Sequence, residues 1–334
     1  MSSWYNASLD KDIVVSTRVR LARNLSSLPF PSNMNDEERR ELKNLVKNAI
    51  KESNTPFAES LKFIDMESVP YNEIFAMVER HIISPEFANS NSDRAIILSE
   101  DESISIMIGE EDHIRIQVIL PGLNLEKAYD LAERIDTLLY DSLHFAFDKE
   151  LGFLTECPTN LGTGLRASVM LHLPVCEAKG ELKGLSDTVS KIGFCVRGIY
   201  GEGSKSEGSF YQISNQITLG LSEKNAIENL KIITNQIIEK EISARSSIEK
   251  IKLEDMCFRA LGILKNSRII SSKEAIELIS RIKLGVSMGI IESEVGAVSL
   301  MIESAPFMLM KKYGEMNPQE RDIYRASYLR EKLN

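Results

Sequence analysis

Arginine recurs at mid-strand positions in this sequence, and its spacing is the first sign of chemistry. In residues 157–174, CPTNLGTGLRASVMLHLP, a turn rich in Pro, Asn, Gly and Thr leads into strict alternation of apolar and polar residues. Such alternation is typical of a strand with one buried face. Residues 12–24, 113–120 and 191–198 alternate in the same way. In all four segments arginine stands on the face opposite the apolar residues: Arg18, Arg20, Arg115, Arg166 and Arg197.

Two interpretations of these arginines are open. They could be solvated residues on the outer face of an antiparallel sheet, which is the commoner situation. Lysine, however, is absent from these faces, and solvation alone does not choose between the two basic residues. The planar guanidinium fork binds phosphate through two parallel hydrogen bonds, which the lysine ammonium cannot do. The pattern therefore predicts a sheet face that binds a polyphosphate.

Two acidic positions accompany the arginines. Glu111 lies in GEED, residues 109–112, which we expect to form a four-residue hairpin connection. If the strand continued through Glu111, this residue would share the face of Arg115 at a distance of about 13 Å. Glu202 lies in a stretch rich in glycine and serine, which is typical either of a mobile surface loop or of a lid that closes over a substrate.

Composition and missing motifs exclude several classes. The formal net charge of -9 argues against nucleic acid as a direct partner. The chain lacks the P-loop, the protein-kinase HRD and DFG motifs, and HExxH, so no dedicated metal site is predicted. Four cysteines without a CxxC pair indicate reduced thiols. We see neither a membrane span nor a signal peptide, and we expect a cytoplasmic protein without membrane contact.

The hydrophobic periodicity changes near residue 222. Before that position, helices mix with alternating strands; after it, apolar residues recur at helical spacing to the C-terminus. We therefore predict an α+β fold, with an antiparallel sheet flanked by helices in residues 1–221 and an all-α domain in residues 222–334. Asn35 or Asp36 should cap a helix in the first domain, and Asn317, Pro318 and Glu320 should begin the last helix.

Four segments resemble the motifs of one family in the expected order. CPTNLGTGLRAS is similar to the signature of the guanidino kinases, also called phosphagen kinases, and STRVRLAR, EEDHIR and VRGIYGE resemble their other motifs. The bacterial protein arginine kinases are the nearest branch, because the first arginine motif begins too early for the N-terminal domain of phosphagen kinases. In addition, RDIYRA, residues 321–326, resembles the RDxxRA motif by which that branch binds phosphoarginine.

The resemblance implies a role for each matching residue. Arg18, Arg20, Arg115, Arg166 and Arg197 would hold the phosphates of ATP, and His81 would lie near the adenine. Glu111 and Glu202 would hold the acceptor guanidinium beside Cys157, with Glu111 as the base. In the last helix, Arg321, Asp322 and Arg325 would form an allosteric phosphoarginine site, although from the residues alone an exposed, salt-bridged helix is the alternative. Two departures stand out: Gly109 replaces an asparagine, and Met170 replaces a histidine common in phosphagen kinases.

The implied activity is transfer of the γ-phosphoryl group of ATP, with Mg²⁺, to arginine side chains of proteins, marking them for Clp-type degradation. Two alternatives are a kinase of free arginine or another small guanidino compound, and a phosphoarginine-binding regulator without catalysis. The resemblance also implies a homodimer, an activator of the McsA type, a repressor of the CtsR type and an unfoldase of the ClpC type. None of these partners is evident from the residues themselves.

Overall fold

The computed structural model describes residues 3–6, 12–53, 55–198 and 207–334. The strands are Val14–Arg23 (β1), Leu61–Asp65 (β2), Ala95–Ser99 (β3), Ile104–Ile108 (β4), Ile114–Pro121 (β5), Phe147–Asp148 (β6), Gly152–Phe153 (β7), Leu165–His172 (β8), Phe194–Gly198 (β9) and Phe210–Asn215 (β10). The helices of the first part are Asp36–Glu52 (α1), Pro56–Glu59 (α2), Tyr71–Glu79 (α3), Pro85–Asn89 (α4), Leu125–Ser142 (α5), Pro174–Ala178 (α6) and Leu182–Ser190 (α7). Those that follow are Glu223–Arg245 (α8), Lys250–Asn266 (α9), Ser272–Ser287 (α10), Ala297–Glu303 (α11), Pro306–Tyr313 (α12) and Pro318–Leu333 (α13). Short 3-10 helices cover Trp4–Asn6, Pro31–Asn33, Met66–Ser68 and Pro158–Asn160.

Eight of these strands form one sheet in the order β2-β3-β4-β5-β1-β8-β10-β9. Every pair of neighbours in the sheet is antiparallel. Strands β6 and β7 form a separate hairpin. The centre of the sheet, β5-β1-β8, therefore comes from three segments that are far apart in sequence, and these carry four of the five predicted arginines.

One face of the sheet is covered by long helices. The apolar residues that alternate along β1, β5 and β8, such as Val19, Val118 and Val169, are fully buried there. Helix α5 packs on β1 and β5, and α8 packs on β8 and β10, through residues such as Ile135 and Leu230. Burial of one face in this way explains the alternation seen in the sequence, because residues of opposite parity must point away from this core.

The opposite face is covered only at its edges. Helices α3 and α4 pack against the β2-β3-β4 end through a core that includes Met107 and Phe87. The 3-10 helix at Trp4 packs with Ile119 of β5 and Ile302 of α11. At the end of α3 the carboxylate of Glu79 accepts the backbone N–H groups of Phe307 and Met308, in the first turn of α12, at 3.0 and 2.8 Å. The helical region thus reaches over this face of the sheet.

The predicted helix starts are confirmed. Asn35 caps α1, and its side chain accepts the backbone N–H groups of Glu37 and Glu38. Asn317 caps α13, with Pro318 in the first turn and Glu320 completing a capping box. In both capping boxes the glutamate returns a hydrogen bond to the cap, so two backbone donors that the helix leaves unpaired are satisfied.

The predicted fold class is confirmed: an antiparallel sheet flanked by helices is followed by helices alone from Glu223 onward. The division at residue 222 stays a prediction, since α8 begins there and packs on the sheet. All four cysteines are free thiols. Among the helices of the described residues, none is both long and apolar enough to span a membrane.

Candidate active site

The five predicted arginines lie on one face of the sheet, opposite the helix-covered core. Arg20 of β1 stands directly across from Arg166 of β8. Arg115 of β5 pairs with Ala22, which lies two residues beyond Arg20 on the same side of β1. The four strands that carry these arginines therefore direct the guanidinium groups to a common region, as the alternation predicted.

Glutamine side chains share this face. Gln212 of β10 lies across from Arg197 of β9, and its Oε1 accepts a hydrogen bond of 2.7 Å from Nη2 of Arg18. Gln117 of β5 lies across from Arg20 and donates to the backbone oxygen of His81 at 2.9 Å. Gln212 thus orients Arg18 without neutralising its charge.

The arginines lie close enough together for their positive charges to lower each other's pKa. Burial, together with the charges of Arg115 and Arg166, lowers the pKa of Arg18 to about 10. Burial lowers the pKa of Arg20 well below its usual value, and the neighbouring arginines lower it further. Burial and Arg197 lower the pKa of Arg166. Such shifts mean that the protein holds positive charge where it is unfavourable without an anion.

Some of the buried donor atoms of this group are also unpartnered. Among the described residues, the buried Nε atoms of Arg20 and Arg166 have no hydrogen-bond partner. Buried donors are nearly always satisfied in folded proteins, and exceptions point to a ligand or to function. A bound polyanion would offset the repulsion between Arg20 and Arg166 and would accept hydrogen bonds from their unused Nε donors.

The arginine face is the floor of one large cavity. The cavity has a volume of about 1230 Å³, and all five arginines line it together with His81, Glu110 and Glu111. Its opposite wall comes from the helical region, including Met301, Ile302 and Ser304. Typical small-molecule pockets measure about 300 to 1,000 Å³, so this cavity has room for a nucleotide and for part of a second substrate.

The acidic loop differs from the sequence prediction in one respect. Strand β4 ends at Ile108 and β5 begins at Ile114, so Glu111 belongs to a five-residue loop and not to a strand. The loop folds back, and Oε2 of Glu111 lies 3.3 Å from Nη2 of Arg115. The expected separation of about 13 Å along the backbone therefore loses its basis, because it assumed that extended strand continued through residue 111.

Glu110 is a residue that the sequence reasoning did not single out. Its carboxylate lies 2.7 and 2.8 Å from Nε and Nη1 of Arg115, and it also accepts a hydrogen bond from Ser84. Burial raises the pKa of Glu110, although the charge of Arg115 opposes the shift. Its position beside Glu111 in the same loop was the only signal in the sequence. Glu110 fixes the guanidinium of Arg115 at the edge of the cavity.

The backbone of this loop explains the first departure from the family pattern. Gly109 has φ +80°, and a Cβ placed there would lie 3.3 Å from the backbone oxygen of Asp93. Glycine adopts this left-handed region without strain, and asparagine tolerates it better than most residues. The left-handed backbone at this position therefore suits glycine and would also admit the asparagine that the resemblance predicted there.

Cys157 belongs to a short turn that contacts Glu111 through Asn160, but its own side chain does not line the cavity. Cys157 precedes the 3-10 helix Pro158–Asn160, and Nδ2 of Asn160 lies 3.4 Å from Oε2 of Glu111. The Sγ atom of Cys157 lies 3.1 Å from Oγ1 of Thr159, and the thiol is half-buried. Glu156, the preceding residue, lines the cavity. The turn therefore lies beside the acidic loop, at the end of the cavity where Arg115 lies.

Glu202 lies outside the described residues, so its proposed partnership with Glu111 stays a prediction. The residues that flank its segment, Gly198 and Glu207, line the same cavity.

His81 lies at the other end of the arginine group. Its backbone has φ +60°, which is uncommon for a residue other than glycine. Burial and the charge of Arg18 lower its pKa to about 4, so the ring is neutral at physiological pH. A second cavity of about 100 Å³ shares His81 and Arg18 with the large one and adds apolar walls from Trp4, Met170 and Phe210. The neutral ring and these walls suit a flat heterocycle better than a phosphate.

The three predicted residues of α13 have different surroundings. Arg325 is almost completely buried, and its guanidinium donates to the backbone oxygens of Ser304 and Ile270 at 2.9 Å each, and to Asp322. Arg325 thus anchors α13, although it also lines the large cavity. Arg321 and Asp322 are half-buried. Burial of Arg325 could not be predicted, because spacing along a helix does not show which face is covered.

Family comparisons agree with this geometry. Residues 41–244 match the ATP:guanido phosphotransferase C-terminal catalytic domain, and residues 250–334 match the protein-arginine kinase McsB C-terminal domain. Because a guanido phosphotransferase takes its phosphoryl group from ATP, ATP is a substrate of this chain.

Proteins that align with this chain over most of their own length are protein-arginine kinases. A protein-arginine kinase of Clostridium kluyveri is 46% identical over 96% of this chain and 94% of its own length. A protein-arginine kinase of Caldanaerobacter subterraneus subsp. tengcongensis is 42% identical over 97% of this chain and 98% of its own length.

Solved structures show the same fold. The crystal structure of a lombricine kinase aligns with a TM-score of 0.63 at 23% identity, over 73% of this chain and 70% of that one. The duplicated taurocyamine kinase from Schistosoma mansoni, solved with transition-state analogue components, aligns with a TM-score of 0.62 at 25% identity, over 92% of this chain and 40% of that one. The chain therefore belongs to the ATP:guanido phosphotransferase family and, along nearly its whole length, to the protein-arginine kinases within it.

Proposed function

We propose that this protein transfers the γ-phosphoryl group of ATP to arginine side chains of other proteins. The observation that carries the proposal is a single cavity whose lining combines five strand-borne guanidinium groups with Glu111, which the turn of Cys157 contacts through Asn160. One end of this cavity suits a polyphosphate and the other suits a cationic acceptor. The products would be ADP and phosphoarginine.

The arginine face would bind the phosphates and stabilise the charge that spreads over the transferring phosphoryl oxygens. Arg20 and Arg166 offer unused Nε donors and unfavourable mutual repulsion, both of which an anion relieves. Preorganised donors of this kind are usually the largest contribution to phosphoryl transfer. His81 and the adjoining apolar cavity would take the adenine.

At the acceptor end, Glu111 is the proposed base. The substrate guanidinium is delocalised and has a pKa above about 12, so it needs a carboxylate that localises a lone pair on one nitrogen. That nitrogen forms a bond to the γ-phosphorus while the bond from this phosphorus to the oxygen bridging it to the β-phosphorus breaks. The proton leaves the nitrogen for Glu111, which is typically worth about 10²- to 10⁴-fold in rate. Glu202 would hold the same guanidinium, and Cys157 would lie beside it.

Mg²⁺ is the expected metal, and it would neutralise phosphate charge as the β–γ bond breaks. In the part of the chain that the structure describes, one group of three carboxylates has the spacing of a metal site: Asp65, Glu67 and Asp93. It is not part of the cavity lining, and Lys43 pairs with two of its members. Mg²⁺ in kinases is usually held by substrate phosphates and one or two carboxylates, so the phosphates of bound ATP would supply most of its ligands here.

Mass spectrometry for acid-labile phosphoarginine tests the activity. Wild type would be incubated with ATP and either an unfolded, arginine-containing protein or free arginine, beside Glu111→Gln and Glu202→Gln. We expect phosphoarginine on the protein and at least a 100-fold loss in Glu111→Gln, with the exposed Glu150→Gln as the control. Phosphorylation of free arginine alone would overturn the assignment of the acceptor, and retained ATP binding without turnover would indicate a regulator.

We further propose that Arg321 and Asp322 bind phosphoarginine, the first through the phosphate and the second through the guanidinium, while Arg325 holds the helix in place. Support comes from the match to the McsB C-terminal domain and from the burial of Arg325. Unchanged affinity for phosphoarginine in Arg321→Ala and Asp322→Ala would refute this assignment.

The remaining expectations follow from the same family match. The marked proteins would be degraded by a ClpC-type unfoldase, an activator of the McsA type and a repressor of the CtsR type would be partners, and the protein would act as a cytoplasmic homodimer. Co-purification from cells and measurement of mass in solution would test these points.

A further inference from the structure

A buried pair of polar side chains lies behind the acceptor end of the cavity. Asn24 follows the last residue of β1, and Asp112 follows Glu111 in the acidic loop. Each leaves only 1% of its surface exposed. Nδ2 of Asn24 donates to Oδ1 of Asp112 at 2.7 Å. Neither residue lines the cavity, so neither contacts a substrate bound there.

This pair joins three segments of the chain. Oδ1 of Asn24 accepts the backbone N–H of His113 at 2.8 Å, which fixes the end of the acidic loop. Nδ2 of Asn24 also donates to the backbone oxygen of Leu154 at 3.0 Å. Oδ1 of Asp112 accepts the backbone N–H of Glu156 at 2.8 Å. The pair thus connects Asp112, the residue after Glu111, to Glu156, the residue before Cys157.

Other contacts between the two segments are weaker. On the cavity side Asn160 reaches Glu111 at 3.4 Å in an exposed position, where water competes for the hydrogen bond. The bonds of Asn24 and Asp112 are shorter and buried, and one of them joins an amide to a carboxylate. Bonds to an ionised acceptor are stronger than neutral ones.

We propose that Asn24 and Asp112 are positioning residues, which set the distance between Glu111 and Cys157 and so the shape of the acceptor pocket. The inference rests on the proposed function, because it assigns these residues to the acceptor end and not to the nucleotide end. Displacement of a substrate by about 1 Å can cost on the order of 10²-fold in rate. Loss of the pair should therefore reduce use of the arginine acceptor and leave nucleotide binding intact.

The test compares Asn24→Ala and Asp112→Ala with wild type, and the milder Asn24→Ser and Asp112→Asn serve if either alanine variant fails to fold. Steady-state kinetics with an unfolded, arginine-containing protein give the KM of the acceptor and kcat. The dissociation constant of a non-hydrolysable ATP analogue gives nucleotide affinity. We expect kcat/KM for the acceptor to fall about 10- to 100-fold and nucleotide affinity to change by less than about twofold.

The matched control is Glu241→Gln. Glu241 is also a fully buried carboxylate that accepts backbone N–H groups, those of Val175 and Cys176, but it lies in α8 away from the cavity. We expect this variant to lose stability. Any change in its kcat/KM for the acceptor should be matched by an equal change in its affinity for the ATP analogue. A general structural role for the pair would make the Asn24 and Asp112 variants behave like Glu241→Gln, and that result would overturn the proposal.

A second readout does not depend on catalysis. The rate at which iodoacetamide alkylates Cys157, followed by mass spectrometry of its peptide, should change at least threefold in the Asn24 and Asp112 variants. Cys195, the other half-buried thiol, should react at the wild-type rate. If wild type phosphorylates no arginine, the proposed function fails, and the alkylation rates still decide the inference: equal rates at Cys157 in all variants would refute it.

Discussion

Nη2 of Arg115 lies 3.3 Å from Oε2 of Glu111, so the arginine proposed for the phosphates is in contact with the carboxylate proposed for the acceptor. Nε and Nη1 of the same guanidinium face Glu110. The two halves of the proposed reaction therefore meet at one ion pair. An anion that takes up the charge of Arg115 would leave Glu111 free to bind a second cation.

This contact predicts that nucleotide and acceptor bind cooperatively. A non-hydrolysable ATP analogue should increase the affinity for an arginine-containing peptide at least about fivefold, which is the lower end of typical coupling between sites. Fluorescence anisotropy of a labelled peptide with and without the analogue measures the effect. Glu111→Gln should abolish it, because a neutral amide does not depend on the charge of Arg115. Equal peptide affinity under both conditions in wild type would contradict the prediction.

Because Arg20 and Arg166 lie directly across from each other, we expect this pair to lower the stability of the protein while it favours ATP binding. Like charges directly across a strand pair destabilise by about 0.2 to 1 kcal/mol, and here burial increases the repulsion. Arg166→Gln should therefore raise the thermal unfolding temperature of the protein by itself and weaken ATP binding at least tenfold. Scanning calorimetry and titration of nucleotide give the two values. The exposed Arg134→Gln is the control, and a lower unfolding temperature in Arg166→Gln would contradict the argument.

The carboxyl group of Glu79 should make the stability of the protein depend on pH. Burial raises its pKa from 4.5 to about 7, although the N–H groups of Phe307 and Met308 oppose the shift. The folded state therefore binds this proton more tightly than the unfolded state, and the stability that the carboxyl contributes falls as pH rises from about 4.5 through about 7. Glutamine does not titrate and keeps one acceptor oxygen. The unfolding temperature of Glu79→Gln minus that of wild type should be more positive at pH 8 than at pH 5.5.

The control for this pH effect is Glu239→Gln, since Glu239 is exposed on α8. Its difference from wild type should be the same at both pH values. A pH-independent difference for Glu79→Gln as well would mean that the carboxyl titrates at its ordinary value.

The backbone around Gly162, near the turn of Cys157, leaves no room for a side chain. It has φ +107°, and a Cβ there would lie 2.5 Å from the backbone oxygen of Thr218. Gly162→Ala should destabilise the protein by more than about 1 kcal/mol, since both the backbone and the close contact resist it. Chemical denaturation measures the change. Gly184→Ala, in helix α7 with nothing within 4 Å, should be neutral or stabilising.

The sequence predicted the arginine face because a strand has a period of two. Once alternation fixed which residues are buried, the opposite parity placed Arg18, Arg166 and Arg197 on the polar faces of their strands. The order of the strands in one sheet then brings these faces together. The caps of α1 and α13 could be predicted for the same reason, since a cap depends on residues only three positions apart.

Features that depend on distant segments could not be predicted. The fold of the loop at Glu111 is set by two hydrogen bonds with Asn24, which donates to Asp112 and accepts from the backbone N–H of His113 although it is far away in sequence. Burial of Arg325 depends on carbonyl groups of Ser304 and Ile270, which no periodicity within α13 reveals. The contribution of Met301 to the large cavity likewise follows from tertiary packing alone.

The residues that line the large cavity come from nearly the whole chain, from Arg18 to Arg325. Arg18 and Arg20 precede the region that matches the catalytic domain of the family, and Met301 and Ile302 follow it. Neither matched region on its own supplies the whole cavity wall. The chain is consequently not modular in the usual sense: a fragment cut at the family boundaries would lack part of this wall, and exchanging the C-terminal half with that of a relative would change the side opposite the arginines.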